Sequence, residues 1–213
     1  MVTSTKSKPH GKSVQKKLPT FIKTLPYILI ICGLVGFIAS AILTYDHNQI
    51  ALNPHYVPSC NINPVVACGS VLRSKQTDVF HLPNPYIGLA VFPMVITTGV
   101  ALLAGAKFKR WYWLALEAGT IFGIGFVHWL FFETVYRIHA LCPYCMATWV
   151  ITITSFWYLT LYNIQAGNIV IPKKLKPYID FLIRHHIDVL ILWFLIIGAL
   201  ILKHFWYYYG KDF

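Results

Sequence analysis

Cys142-Pro143-Tyr144-Cys145 is the segment of this chain whose residue types and spacing best suit covalent chemistry. Two cysteines separated by two residues at a helix start can close a small disulfide ring. The free amides and the dipole of the helix N-terminus favour the thiolate there, which is the reactive form. Pro143 suits an early helical position, where its missing N–H costs little. A second pair, Cys60 and Cys68, brackets Asn61-Ile62-Asn63-Pro64-Val65-Val66-Ala67 and is followed by Gly69. That spacing is too wide for a ring of the CxxC kind and suits a flexible exchange pair, one sulfur meeting an outside thiol and the other the CxxC. Exchange runs through mixed disulfides, so each thiol must reach the next. A short surface helix near Val65 to Ser74 would let Cys68 swing toward Cys142. Two blander readings stand beside this one: a structural disulfide at the CxxC, or tetrahedral zinc on all four thiolates. The Cys60/Cys68 spacing is poor for zinc, and no histidine cluster supports it. Cys32, halfway along an apolar run, reads as a small packing residue.

The elements that must position these thiols are membrane helices. Of the 213 residues, 57% are hydrophobic and 12% charged, against about 25% charged in soluble domains. Too little polar surface remains to cover such a chain in water. Five stretches reach the roughly 20 helical residues needed to cross a hydrocarbon core: Leu25 to Tyr45, Tyr86 to Ala106, Trp111 to Phe132, Leu141 to Tyr162 and Ile187 to Tyr209. Backbone amides in lipid must bond internally, and runs of this length exceed barrel strands, so all five are expected as helices. Pro93 is expected to kink the second. No internal repeat is visible. Residues 1–24 are read as a disordered basic cytoplasmic tail rather than a cleaved signal peptide, 25–163 as a four-helix catalytic unit, 164–186 as a basic cytoplasmic linker, and 187–213 as a fifth helix with a short outer tail.

The net charge of +11 comes from clumps between apolar runs, a pattern of membrane topology rather than nucleic-acid binding. Lys6, Lys8, Lys12, Lys16, Lys17 and Lys23 precede the first span. Lys107, Lys109 and Arg110 join the second to the third, and Lys173, Lys174, Lys176 and Arg184 the fourth to the fifth. Most of the eighteen Lys and Arg thus fall on one side, with Arg73, Lys75, Arg137, Lys203 and Lys211 opposite. The positive-inside rule puts the amino terminus in the cytoplasm and all four paired cysteines outside, where disulfides persist. Trp111 to Trp113 and Trp206 to Tyr209 read as interfacial aromatic belts.

These residues resemble the vitamin K epoxide reductase family over roughly Leu25 to Tyr162. The likeness rests on the loop Cys60-x7-Cys68-Gly69, Ser74 six residues on, the Asn84-Pro85-Tyr86-Ile87-Gly88 lead into the second span, and the CxxC opening the fourth. Ala140-Leu141-Cys142-Pro143-Tyr144-Cys145-Met146 looks most like the bacterial branch, in which a fifth span commonly leads to a fused thioredoxin-like domain. Here the chain ends at Phe213, so the redox partner is expected to be a separate protein. The resemblance implies an all-α membrane protein: a four-helix bundle around a quinone, one additional C-terminal helix, and an outer loop carrying a short helix. It implies that Cys145 faces the quinone and donates electrons to it, that Cys142 is its disulfide partner and the target of Cys68, and that Cys60 exchanges with Cys68 and the partner. Asn84 would bond a quinone carbonyl, and Ser74 would position the loop. One position departs: four residues after the second CxxC cysteine the vertebrate enzymes carry a quinone-bonding tyrosine, and this chain has Trp149. An indole can stack and donate through its N–H, and the change favours plain quinone reduction over epoxide reduction.

The expected activity is therefore a thiol:quinone oxidoreductase, DsbB-like, with a menaquinone, ubiquinone or vitamin K type quinone as electron acceptor. It would reoxidise a secreted or membrane-tethered thioredoxin-fold oxidase of the DsbA type at the plasma membrane. A rival of the same frame recycles vitamin K epoxide in an endoplasmic reticulum, and a rival of another class is a non-catalytic membrane subunit or transporter with a structural disulfide. Ionisable groups at membrane depth are functional candidates. Glu133 is a candidate proton relay, or simply an interfacial partner of Arg137 four residues on. Glu117 and His128 are further candidates for proton transfer, and Glu117, within two turns of the basic link, is alternatively a residue near the headgroups.

Overall fold

The structure, a computed structural model, describes residues 20–79 and 82–209. The expected basic tail lies almost wholly outside these residues. Five helices are long and apolar enough to cross a membrane: α1 (Thr20–Leu52), α3 (Asn84–Leu103), α4 (Arg110–Phe132), α5 (Pro143–Gln165) and α7 (His186–Tyr209). With them come two short helices, α2 (Cys68–Leu72) in the first loop and α6 (Lys176–Arg184) before the last span. The protein is an all-α, multi-pass membrane protein. Its strands are a two-residue pair, β1 (Asp78–Val79) and β2 (Leu82–Pro83), within the loop.

Helix α1 continues a full seven residues past the expected Tyr45, because nothing breaks it until Pro54 disfavours helical backbone at Asn53. Its far end therefore stands among the loop residues rather than in lipid. Helix α4 also runs on, through one π-helical segment at Glu133–Ile138, and stops where His139 takes a left-handed φ of 56°. Such π-segments frequently mark functional sites. The linker 164–186 is not featureless. It contains α6, whose Leu182 and Ile183 pack on Trp157 and Leu161 of α5.

In the bundle α3 lies along α1, α1 along α5, and α5 along α4. Lipid tails are as apolar as leucine, so van der Waals contact at small residues decides which helices touch. A Cβ added to Gly99 would stand 2.8 Å from the Pro26 carbonyl oxygen, and one at Gly33 3.1 Å from the Ile96 amide nitrogen. One at Gly88 would collide with the Ser40 side chain. Helix α3 meets α4 through a 2.5 Å hydrogen bond between the Thr98 and Tyr112 hydroxyls, and elsewhere the two wall a cavity. Helix α7 sits on the back of α4 and α5. Trp157 Nε1–H donates to the His186 carbonyl (2.9 Å), Trp193 Nε1–H to His128 Nε2 (3.1 Å), and His139 and His204 share a hydrogen bond of 2.8 Å. His128 is thus a fastening point for α7. Glu117 faces inward. It is buried between α4 and α5, accepting from the Thr160 hydroxyl (2.6 Å) and the Asn163 amide (2.9 Å).

Gly99→Val puts a branched side chain against backbone that cannot yield, and overpacking of this kind costs about 1–3 kcal/mol. The expected result is a thermal midpoint several degrees lower in detergent, measured by intrinsic fluorescence. Gly119→Ala, whose Cβ would meet nothing within 4 Å, is expected to leave the midpoint in place.

Candidate redox site

The first loop is held in shape by two asparagines. Asn63 Oδ1 accepts from the Val65 and Val66 amides at 2.9 and 2.7 Å, and Asn61 Oδ1 accepts from the Gly69 amide at 2.8 Å. A Cβ at position 69 would lie 2.8 Å from the Arg73 guanidinium and 2.9 Å from the Asn61 amide nitrogen, so both side chains would have to shift. Arg73 in turn donates to the Tyr56 and Pro54 carbonyls at 2.7 and 3.0 Å. These caps leave Val65 to Ala67 extended, so the short helix is Cys68–Leu72 rather than the longer 65–74 segment expected.

That extended piece reaches across to the start of α5. Leu141 N–H donates to the Val65 carbonyl at 2.7 Å and Ala67 N–H to the Leu141 carbonyl at 2.9 Å, a parallel bridge. Each strand of this clasp runs directly into a cysteine, Ala67 into Cys68 and Leu141 into Cys142. Both are fully buried in one cluster with Cys60, Leu43, Val71, Leu72 and Ala140, and Cys145 packs against it. Cys60 and Cys68 form a disulfide with Cα atoms 5.7 Å apart. Cys142 and Cys145 are free thiols. The disulfide removes two of the sulfurs from the alternative zinc reading. Cys32 is buried within α1, apart from this cluster.

Cys142 is the N-cap of α5, its sulfur accepting from the Cys145 amide at 3.4 Å. The Cys145 thiol first, then the Cys145 and Tyr144 amides, hold the Cys142 thiol below its ordinary range, against the opposing effects of burial and the Asp46 carboxylate. Cys142 is the more readily ionised of a buried set, and it sits where helix-terminal amides converge.

Cys145 looks the other way, into a cavity of about 520 Å³ enclosed by α1, α3, α4, α5 and the loop. On α5 the cavity face is Cys145, Thr148, Thr152 and Ser155, residues three and four apart. Apolar side chains dominate the walls, among them Phe92, Val95 and Leu116, while Ser74, Gln76, Asn84 and Glu133 gather at the loop end beside Cys145. The Glu133 side chain is only 4% exposed. It accepts from the Gln76 amide at 3.1 Å and pairs with Arg137 at 3.5 Å. A flat apolar ring with two carbonyl oxygens fits this arrangement: an apolar slot, amide donors at one end, and a thiol on the wall.

The sequence-derived residues fare differently. Cys60, Cys68, Cys142 and Cys145 are brought together. Ser74 and Asn84 line the cavity, but both are also engaged with the loop. Ser74 donates to the Val71 carbonyl at 2.6 Å, and the Asn84 amide donates to the Gln76 carbonyl at 2.8 Å, strapping the loop to the head of α3. Trp149 is not brought to the cavity. It is 3% exposed, edge-on to Phe131 at 5.4 Å, and borders a small void with His128, Phe131 and Ile197 on the α7 side. Cys145, Thr148 and Thr152 occupy the cavity face, and one step round the helix turns Trp149 toward α4 and α7. Gln76 escaped the sequence reading, since a loop glutamine carries no signal of its own. Asp46 escaped it because the apolar run ends one residue earlier.

None of the curated proteins compared with the chain matches it. The model of the vitamin K epoxide reductase family matches residues 27–160, well over half of the chain and all of the cavity and its thiols. The chain is an oxidoreductase of the membrane, of the class that couples disulfide chemistry to quinone-type electron carriers. The match over that segment, in which four cysteines gather beside an apolar cavity, makes this protein a member of the vitamin K epoxide reductase family.

Proposed function

We propose that the protein is a thiol:quinone oxidoreductase that draws electrons from the dithiol of an extracytoplasmic thioredoxin-fold protein of the DsbA type and so drives disulfide formation in exported proteins. The observation that carries this reading is the placement of the Cys142/Cys145 dithiol between the Cys60–Cys68 disulfide on one side and the 520 Å³ cavity on the other. The unit 25–163 does the chemistry. The basic clusters on the opposite side of the bundle support an amino terminus in the cytoplasm, with the thiols outside, in a plasma membrane.

The steps balance in electrons and protons. A partner dithiol reduces Cys60–Cys68 and leaves as a disulfide. Cys68 then attacks Cys142 of an oxidised Cys142–Cys145 pair and releases Cys145. Cys60 resolves the mixed disulfide by attacking Cys68, which restores Cys60–Cys68 and leaves Cys142 and Cys145 reduced. The thiol states described above are those reached at this point. A bound quinone accepts two electrons and two protons to become the quinol. Cys145 delivers the electrons as Cys142–Cys145 re-forms, Asn84 and Gln76 orient the ring oxygens, and Glu133 holds a proton at the loop end. The apolar walls exclude water, and the cavity wall shared by α3 and α4 borders lipid, the medium in which a quinone of menaquinone, ubiquinone or vitamin K type dissolves.

In detergent with quinone and a reduced thioredoxin-fold protein, quinone absorbance is expected to fall with wild-type protein. It is expected to stay flat with Cys145→Ala, although that variant still inserts. A Cys145→Ala protein that reduces quinone near the wild-type rate would sink this reading. Glu133→Gln is expected to slow quinol formation by about 100-fold, the ordinary yield of one positioned proton donor. Thiolate absorbance gives a further check. Because the Cys145 thiol is the largest influence lowering Cys142, the ionisation midpoint of Cys142 should lie below that of an ordinary thiol, about 8.5. It should move up in Cys145→Ala, so that Cys142 is thiolate over a narrower range of pH.

A further inference from the structure

The far end of α1 places an acid in the apolar thiol cluster. Leu43 and Ile50, one face of the helix, pack on Cys60, Cys68 and Cys142, and Asp46 lies between them on the same face, three residues from one and four from the other. Asp46 is 3% exposed. One carboxylate oxygen, Oδ1, accepts from the Tyr56 hydroxyl at 2.9 Å. The other, Oδ2, is buried with no hydrogen-bond partner among the described residues. A buried acceptor left open is costly and calls for an explanation, a reactive role being one. Its field reaches Cys142, where it opposes ionisation, and Tyr56 feels the same carboxylate as a hydrogen bond that holds its phenol above the usual range. Other titratable or charged groups nearby are Tyr45 and His47 on α1, His47 with its Nδ1 also buried and open among the described residues, Arg73 in the loop, and Tyr144 and Cys145 on α5. Arg73 is spent on backbone carbonyls, and no cation pairs with the acid among the described residues.

We infer that Asp46 carries the proton that must move when the outer and inner cysteine pairs exchange their disulfide. The inference rests on the relay reading above and names the group that serves its middle step. As Cys60 attacks the Cys68 sulfur of the mixed disulfide, its thiol proton passes to the open Asp46 oxygen. The Cys68–Cys142 bond breaks, Cys60–Cys68 forms, and Cys142 leaves as thiolate and takes the proton back from Asp46. This step completes the inward transfer of two electrons and carries one proton, that of Cys60, to Cys142 without drawing it from solvent. A carboxylic acid is a stronger acid than a thiol, so the return of the proton to the Cys142 thiolate is favourable. Tyr56 holds Oδ1, which leaves Oδ2 as the oxygen free to take a proton.

The two halves of the cycle can be measured apart, by single-turnover quinone reduction of pre-reduced protein and by reduction of the oxidised protein with a thioredoxin-fold dithiol, both in rapid mixing with full-length protein. Asp46→Asn is expected to keep the first at the wild-type rate and slow the second about 100-fold near neutral pH. The slow rate should climb with pH, as an attacking thiol that must ionise unaided would dictate. Asp46→Glu is expected to restore most of the transfer. Asp46→Asn passing electrons at the wild-type rate, or Asn and Glu variants that lose both halves equally, would overturn the role and leave the relay standing. Wild-type protein whose pre-reduced thiols do not reduce quinone would overturn the relay itself and this inference with it.

Discussion

Two backbone hydrogen bonds, from Leu141 to Val65 and from Ala67 to Leu141, hold the two cysteine pairs beside each other. Each partner of this clasp is the residue before a redox cysteine or lies within three of one. The bridge therefore sets the separation of the two pairs without relying on long side chains. Thiol exchange has a strict reach, since one sulfur must approach another along the axis of the bond being broken. Backbone-to-backbone bonding in a buried site is the stiffest means available to satisfy it. Val65, Leu141, Val135 and Phe205 close over the clasp as a small core of their own, which ties its rigidity to α7, a helix beyond the matched segment.

The cavity follows from the unequal packing of the bundle. Glycines at 33, 88 and 99 draw α1 and α3 into backbone contact, while α4 is drawn onto α5 by polar contacts such as Glu117 with Thr160 and Asn163. The two pairs of helices then leave an apolar gap that lipid-facing side chains do not fill. In a soluble protein such a gap would collapse or flood. In a bilayer it stays open to molecules that share the solvent of the lipid tails. Cys145 lies on its wall and Cys142 behind it, so one helix turn separates the cavity from the Cys60–Cys68 disulfide.

Most of the architecture was legible in the chain because the membrane imposes a length rule on apolar runs. All five spans lie within a few residues of their expected positions, apart from the extensions of α1 and α4, and the CxxC opens α5 as read. The extensions were hidden for a physical reason: hydropathy reports where lipid ends, not where a helix does. The end of α1 carries Tyr45, Asp46, His47 and Asn48, which look like loop residues. The π-helical segment at Glu133–Ile138 was equally invisible, since its single-residue shift in hydrogen bonding leaves no periodic trace.

Residue types and spacing alone determined that this protein would live in lipid, carry a dithiol at a helix start, and hold a second cysteine pair in a loop on the same side. Tertiary structure alone decided which groups meet. It turned Trp149 toward α7 and left the cavity wall to Thr148 and Thr152, it engaged Asn84 with the loop, and it buried Asp46 at the loop end of α1. The division has one cause. Local sequence controls backbone hydrogen bonding and the solvent a segment prefers, whereas the direction of a side chain on a buried helix depends on which neighbours that helix packs against, and those come from distant parts of the chain.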